Sequence, residues 1–181
     1  MQTQSKQKRQ TQAIYEVLKR GRTHSLSVEC QLELFDIMVQ PILLYGSNIL
    51  GFRKNIDCLE KIKIRFCKLL LQLKSSTPNY MMYGELGRFT IDIYIKIRMV
   101  SFWARLLLGK ETELSYLSYK LVCTLSIAEN VLFVRIKFIK ELFDETGYSS
   151  IWINQDIPNY NWLISGINLR LHDQFKQGCY S

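Results

Sequence analysis

Between Asn55 and Leu73 the apolar residues Leu59, Ile62, Phe66, Leu69, Leu70 and Leu73 recur at three- and four-residue steps, the period of one face of an α-helix. Lys61, Arg65 and Lys68 repeat at helical spacing on the other side. A segment divided in this way does not alternate as a strand does. It predicts a helix from Asn55 or Asp57 to about Leu73, with one side for a core and one for an anion.

The same period governs most of the chain, and the signals between periodic segments are helix ends. Ser27 is a candidate N-cap, with Glu29 in the first turn, where the helix dipole favours an acid. Leu32, Phe35, Met38 and Val39 form the inward face of the next helix. Pro41 removes one ladder hydrogen bond and predicts a kink or break, after which Ile42–Tyr45 continues to Gly46. Ser75-Ser76-Thr77-Pro78 reads as a helix start with a hydroxyl cap and proline at the first helical position. That short helix ends at Gly84 or Gly87. A long helix is expected from about Ile91 to Leu108, closed by Gly109. Ahead of these, residues 1–8 read as frayed, and a helix is expected over Arg9–Lys19 with Ala13, Val17 and Leu18 inward. Weaker helices fill 112–146 and 160–176. There is no run of alternating strands, no internal repeat and no low-complexity linker. The expected fold is all-α, an irregular helical bundle of roughly six to eight helices. A domain over 9–110 is followed by a helical extension over 111–181.

A chain of 181 residues with 48% hydrophobic and 22% charged residues buries a core rather than staying disordered. The longest apolar stretch, Ile37–Phe52, is interrupted by Gln40, Pro41, Gly46, Ser47 and Asn48. That is short of the roughly 18–20 residues a membrane helix needs. The polar N-terminus has no apolar run behind it, so neither a signal peptide nor a membrane anchor is expected, and the chain reads as intracellular. Cys30, Cys58, Cys67, Cys123 and Cys179 form no close pair, and the only histidines are His24 and His172. The pattern suits reduced thiols, mostly small core residues, rather than zinc ligands.

The formal net charge is +8, and its distribution is more informative than its size. Residues 53–110 hold twelve basic against four acidic side chains, a net +8; residues 1–52 are at +2 and residues 111–181 at −2. A localised positive field of this kind concentrates polyanions.

Signals of catalysis are missing. There is no glycine-rich phosphate loop and no carboxylate pair. Two-metal phosphoryl transfer needs converging acids. Here Asp57 and Glu60 are expected on a lysine-rich helix without an acidic partner, Asp92 stands alone at a helix start, and Glu111, Glu113 and Asp144 are spread over surface-like positions. His24 and His172 read as plain surface residues. No catalytic residue, cofactor or metal is therefore expected. Tyr45 reads as part of a buried helix end whose hydroxyl needs a partner. Arg88 could meet a phosphate or cap a carbonyl. Phe102 and Trp103 read as core, leaving Arg105 as the contact candidate.

Three segments carry a family resemblance: Leu32–Phe52, LELFDIMVQPILLYGSNILGF; Ser76–Arg88, STPNYMMYGELGR; and Arg98–Gly109, RMVSFWARLLLG. Together they resemble the thumb, and the beginning of the post-thumb region, in LINE-like (non-LTR) retrotransposon reverse transcriptases. The likeness runs from about Gln10 to Gly147, and more weakly through Trp152 and Leu169–Phe175. It breaks just after Tyr45-Gly46, where Ser47, Asn48 and Leu50 stand in place of the family's cysteine, glutamate and tryptophan. The resemblance implies a non-catalytic fragment without the palm, with the segment after 110 truncated. Such a thumb packs beside the template–primer and holds an RNA–DNA or DNA duplex through backbone phosphates. The candidate contacts are Lys61, Arg65, Lys68, Lys74, Arg88, Lys96 and Arg105. Other implied partners are the palm of a related reverse transcriptase and, with that palm missing, a second copy of the chain. The alternative reading is a helical protein-interaction module or a non-functional retroelement remnant.

Overall fold

The computed structural model describes residues 26–50, 56–110, 112–128 and 134–180, together with Gln12, Glu16 and Lys19, which are helical. The remainder of the expected Arg9–Lys19 helix, the frayed start at 1–8 and His24 lie outside the described residues. The chain is all-α, with no strand among the described residues. Among the described residues eight helices of more than one turn run in the order α1 (Val28–Leu34), α2 (Ile56–Leu70), α3 (Asn79–Leu86), α4 (Ile91–Leu108), α5 (Leu114–Ala128), α6 (Val134–Thr146), α7 (Ser149–Asn154) and α8 (Tyr160–Tyr180). Single helical turns at Gln40–Leu43 and Ser47–Leu50 lie between α1 and α2. No described helix is long and apolar enough to cross a membrane.

Local chemistry explains the helix ends. The Ser27 hydroxyl accepts the Cys30 N–H at 3.3 Å, capping α1 as expected. Glu29 in that first turn is held below the usual carboxylate range by hydrogen bonds from its own backbone N–H and from Ser27. The break expected at Pro41 takes a particular form. Phe35–Val39 widens into a π-helical turn, in which the Gln40 N–H donates to the Phe35 carbonyl. One extra residue in that turn relieves the missing N–H and the ring crowding of proline, so the helical path resumes over Gln40–Leu43. Leu43 and Leu44 are buried, but Tyr45 is 74% exposed, so the expectation of a buried tyrosine is corrected.

Two other boundaries differ from the expectation. α2 stops at Leu70 rather than Leu73, because Gln72 turns into the left-handed region at φ 55° and the Leu73 N–H reaches back to the Lys68 carbonyl at 2.9 Å. α3 starts at Asn79 with Pro78 just outside it, and no hydroxyl of the Ser75–Thr77 run caps it. Its end is the expected one. Gly87 takes φ 59°, and the Arg88 N–H donates to the Tyr83 carbonyl at 3.0 Å. Cysteine burial is mixed, with Cys67 buried, Cys58 and Cys123 half-buried, and Cys30 exposed, against an expectation of mostly core.

The chain divides into two compact units. Unit 1 comprises Met1–Tyr45 and Asn55–Asp92; unit 2 comprises Gly46–Lys54 and Ile93–Ser181. The division falls inside α4, whereas the sequence pattern placed it at residue 110. In unit 1, Leu32, Phe35, Val39 and Leu43 pack with Phe66, Met82 and Ile91 as the buried interior, and Phe35 stacks on Phe66 with centroids 4.3 Å apart. In unit 2 the interior is Trp103 with Met99 and Val100 of α4, Ile139 and Phe143 of α6, and Leu163 and Ile167 of α8. Trp103 meets Phe143 edge-on at 4.8 Å and Trp152 at 5.6 Å. Gly166 of α8 lies so close to Tyr148 that a Cβ there would run into its hydroxyl.

Candidate nucleic-acid interface

The basic residues of α2 divide by position. Lys61 and Arg65, one turn apart, are exposed, while Phe66 and Cys67 are buried on the opposite side. Residues at i and i+4 stand about 6 Å apart on a helix, so the two cations form one patch. Lys74, beyond the end of α2, is also exposed.

Lys68 belongs to the same stripe by spacing but is half-buried and anchored. Its Nζ donates to the Ser75 carbonyl at 2.8 Å and the Thr77 carbonyl at 2.6 Å. The lysine thereby closes the turn between α2 and α3 and satisfies two carbonyls of that connection. Arg88 has an acidic partner that its sequence position did not suggest. It pairs with Asp36 across unit 1, with both side chains partly screened from solvent. Lys96 and Arg105 belong to unit 2. Lys96 is half-buried on α4; Arg105 is exposed, with its Nε donating to the Ser101 carbonyl at 3.2 Å. Of the seven candidates, unit 1 therefore groups Lys61, Arg65 and Lys74 as exposed cations.

Behind the patch lies a set of residues that the sequence pattern did not single out. Lys63 is 2% exposed, and its Nζ donates to the Phe89 carbonyl and lies 5.8 Å from the centre of the Tyr83 ring. Glu60 accepts the Tyr83 hydroxyl on one oxygen and the Ile91 N–H on the other, the latter at 2.6 Å. It thereby caps the start of α4, where the helix dipole favours a carboxylate. Burial pushes the Lys63 ammonium down and the Glu60 carboxyl up, and Asp92 adds to the rise at Glu60. The expectation that Glu60 has no acidic neighbour, and that Asp92 stands alone, is corrected by this proximity. Burial likewise raises the Cys67 thiol to about 11, which leaves it protonated and inert at neutral pH. The signal for Lys63 was present in the periodicity. It stands four residues after Leu59 and three before Phe66, on the apolar side.

Among the described residues, no three His, Cys, Asp or Glu side chains converge to hold a metal ion. His172 is half-buried on α8, where burial and Lys176 lower its pKa. No family model, no curated protein and no solved structure matches this chain.

Proposed function

We propose that this chain is a thumb-like helical piece of a retrotransposon reverse transcriptase that binds duplex nucleic acid through its phosphates and performs no nucleotide transfer by itself. The observation that carries the reading is the exposed Lys61–Arg65 pair on the outer side of α2, with Lys74 beyond it, set against a rigidly hydrogen-bonded interior at Glu60 and Lys63. Two cations one turn apart on a helix braced from behind suit a regularly spaced polyanion. They carry no base-reading geometry, so binding is sequence-tolerant. The sequence resemblance supplies the polymerase context and the RNA–DNA hybrid as the first duplex to try.

The test is a fluorescence-anisotropy titration of a labelled RNA–DNA hybrid against the wild type and the Lys61→Glu/Arg65→Glu double variant, over a range of salt. The expected result is an affinity loss of at least roughly tenfold, with the slope of log K on log salt smaller by about two. Lys68→Ala should cost less than either reversal, since its Nζ is committed to two carbonyls. Equal affinity and equal slope in wild type and double variant, with the same circular dichroism, would remove this face from the proposal.

A further inference from the structure

α4 divides as α2 does, but its outer side mixes rings with cations. Ile95, Met99, Val100, Trp103 and Ala104 are buried. On the other side Tyr94, Arg98, Phe102 and Arg105 follow at steps of four, four and three residues, so they share one face over about 16 Å of helix. The two arginines are exposed and the two rings half-buried. From Ile93 to Lys110 there are four basic side chains and no acidic one. The Ser101 carbonyl takes the Arg105 Nε–H at 3.2 Å, which steadies the guanidinium and leaves its terminal N–H groups for an acceptor outside the helix. Phe102 also belongs to a hollow of about 280 Å³, walled by Trp103, Val122, Ile139 and Trp152, with the exposed Ser115 and Ser118 lining it as well. None of the described residues that line it is charged. At the lower end of the size of small-molecule pockets, it has room for one flat ring system and not for a length of chain.

We propose that unit 2 holds an unpaired strand of nucleic acid along α4, with phosphates on Arg98 and Arg105 and a base in the hollow beside Phe102. Charge complementarity selects one part of the occupant. A helix face with arginines two turns apart, and no acid along its length, suits a polyanion. The hollow selects the other part. A phosphate placed there would lose its hydration without gaining a cation, whereas an uncharged base stacks on rings and finds hydroxyls within reach. Only a ligand that alternates anionic groups with flat uncharged ones satisfies both. An acidic peptide offers charge without the ring, and a duplex keeps its bases inside the stack. Stacking and phosphate pairing read no base edge, so binding is sequence-tolerant. The site belongs to the other unit from the Lys61–Arg65 patch and takes a different form of nucleic acid, so it stands apart from the duplex reading.

The experiment is a fluorescence-anisotropy titration of the full chain with a labelled oligothymidylate of about twelve nucleotides. Tryptophan emission is followed in parallel with unlabelled strand, because Trp103 and Trp152 line the hollow. Wild type should bind, and its tryptophan emission should change on binding. Arg98→Glu/Arg105→Glu should weaken binding at least roughly tenfold, with the slope of log K on log salt smaller by about 1.4, the single-strand value for two phosphate contacts. Val122→Phe fills the hollow and keeps every charge; it should cost about fivefold, the weaker end of a lost base stack. Lys61→Glu/Arg65→Glu, in unit 1, should bind the single strand as wild type does. No binding by wild type, binding with unchanged tryptophan emission, full affinity in Val122→Phe, or equal competition by polyglutamate would each overturn the proposal. So would an equal loss in the unit 1 variant. Failure of the duplex reading would show instead as unchanged hybrid binding in that unit 1 variant, so the two outcomes are distinguishable.

Discussion

Lys63 in unit 1 and Trp103 in unit 2 are closed off from solvent to nearly the same degree, 2% and 0% exposed, yet they are held by different physics. Trp103 contributes ring area against Phe143 and Trp152, and its one polar atom finds the Tyr119 hydroxyl. Lys63 contributes a four-carbon stem to the core of unit 1 and an ammonium that must be satisfied, by the Phe89 carbonyl and the Tyr83 ring. Around it Glu60 and the Arg88–Asp36 pair complete a polar lattice that joins the π-helical turn Phe35–Val39, α2, α3 and the start of α4. Unit 2 buries only hydroxyls among its described polar side chains, at Ser47, Ser101 and Thr146. An aromatic core tolerates changes of pH and loses stability chiefly through lost volume. A polar lattice loses it when one partner goes and another is stranded in low dielectric. Unit 1, the one with the exposed cationic patch, is thus the one whose backbone is cross-tied behind that patch.

The contrast can be tested because all three tryptophans, Trp103, Trp152 and Trp162, lie in unit 2. Intrinsic tryptophan fluorescence reports that unit, and far-ultraviolet circular dichroism reports both. The largest effect is expected from Trp103→Ala, which removes the ring at the centre of the aromatic group and should cost about 4 kcal/mol. Guanidinium unfolding followed by Trp152 and Trp162 fluorescence should show the midpoint fall. A loss under about 1 kcal/mol, well below the usual cost of a buried ring, would mean that the aromatic cluster is not what holds unit 2.

Next in size is Lys63→Ala, expected to cost roughly 2–3 kcal/mol by deleting the stem and its hydrogen bond to the Phe89 carbonyl. Lys63→Met loses the same hydrogen bond but keeps the volume and removes a desolvated charge, so it should cost about 1 kcal/mol less than Lys63→Ala. Circular dichroism should separate the two variants clearly. If Met is as damaging as Ala, the bond to Phe89 outweighs packing at this position. If neither variant moves the midpoint, the contrast between the units fails.

The smallest effect concerns pH. Burial raises Glu60, so its proton is held more tightly in the folded than in the unfolded chain. Its titration therefore contributes stability that is fully present below the ordinary value of 4.5 and is lost as pH rises through the raised one. Glu60→Gln removes that titration. The stability advantage of wild type over this variant should shrink as pH is raised from about 4 to 7, a trend opposite to that of an exposed, salt-bridged carboxylate. Two profiles that run parallel across this range would show that Glu60 is not desolvated in solution.

The sequence alone determined the helical class and most helix limits, because those depend on residues close together in the chain. The 3.6-residue period, the Ser27 cap, the left-handed turn at Gly87 and the long helix Ile91–Leu108 are local facts. The period also left Lys61 and Arg65 on the outer side of α2, as the structure has them. Charge counting, by contrast, treated Lys68, Arg88, Lys63 and Lys61 as equivalent, since each is one positive charge in the same third of the chain. Only the tertiary structure separated them, because their partners are distant in sequence. Arg88 meets Asp36 fifty-two residues away, and Lys63 meets Phe89 twenty-six away. The same holds for Glu60, whose role as a cap depends on where the start of α4 comes to rest against α2. A side chain's type and spacing fix which face it takes; whether its charge reaches solvent depends on what the rest of the chain brings against that face, through contacts that local periodicity does not encode.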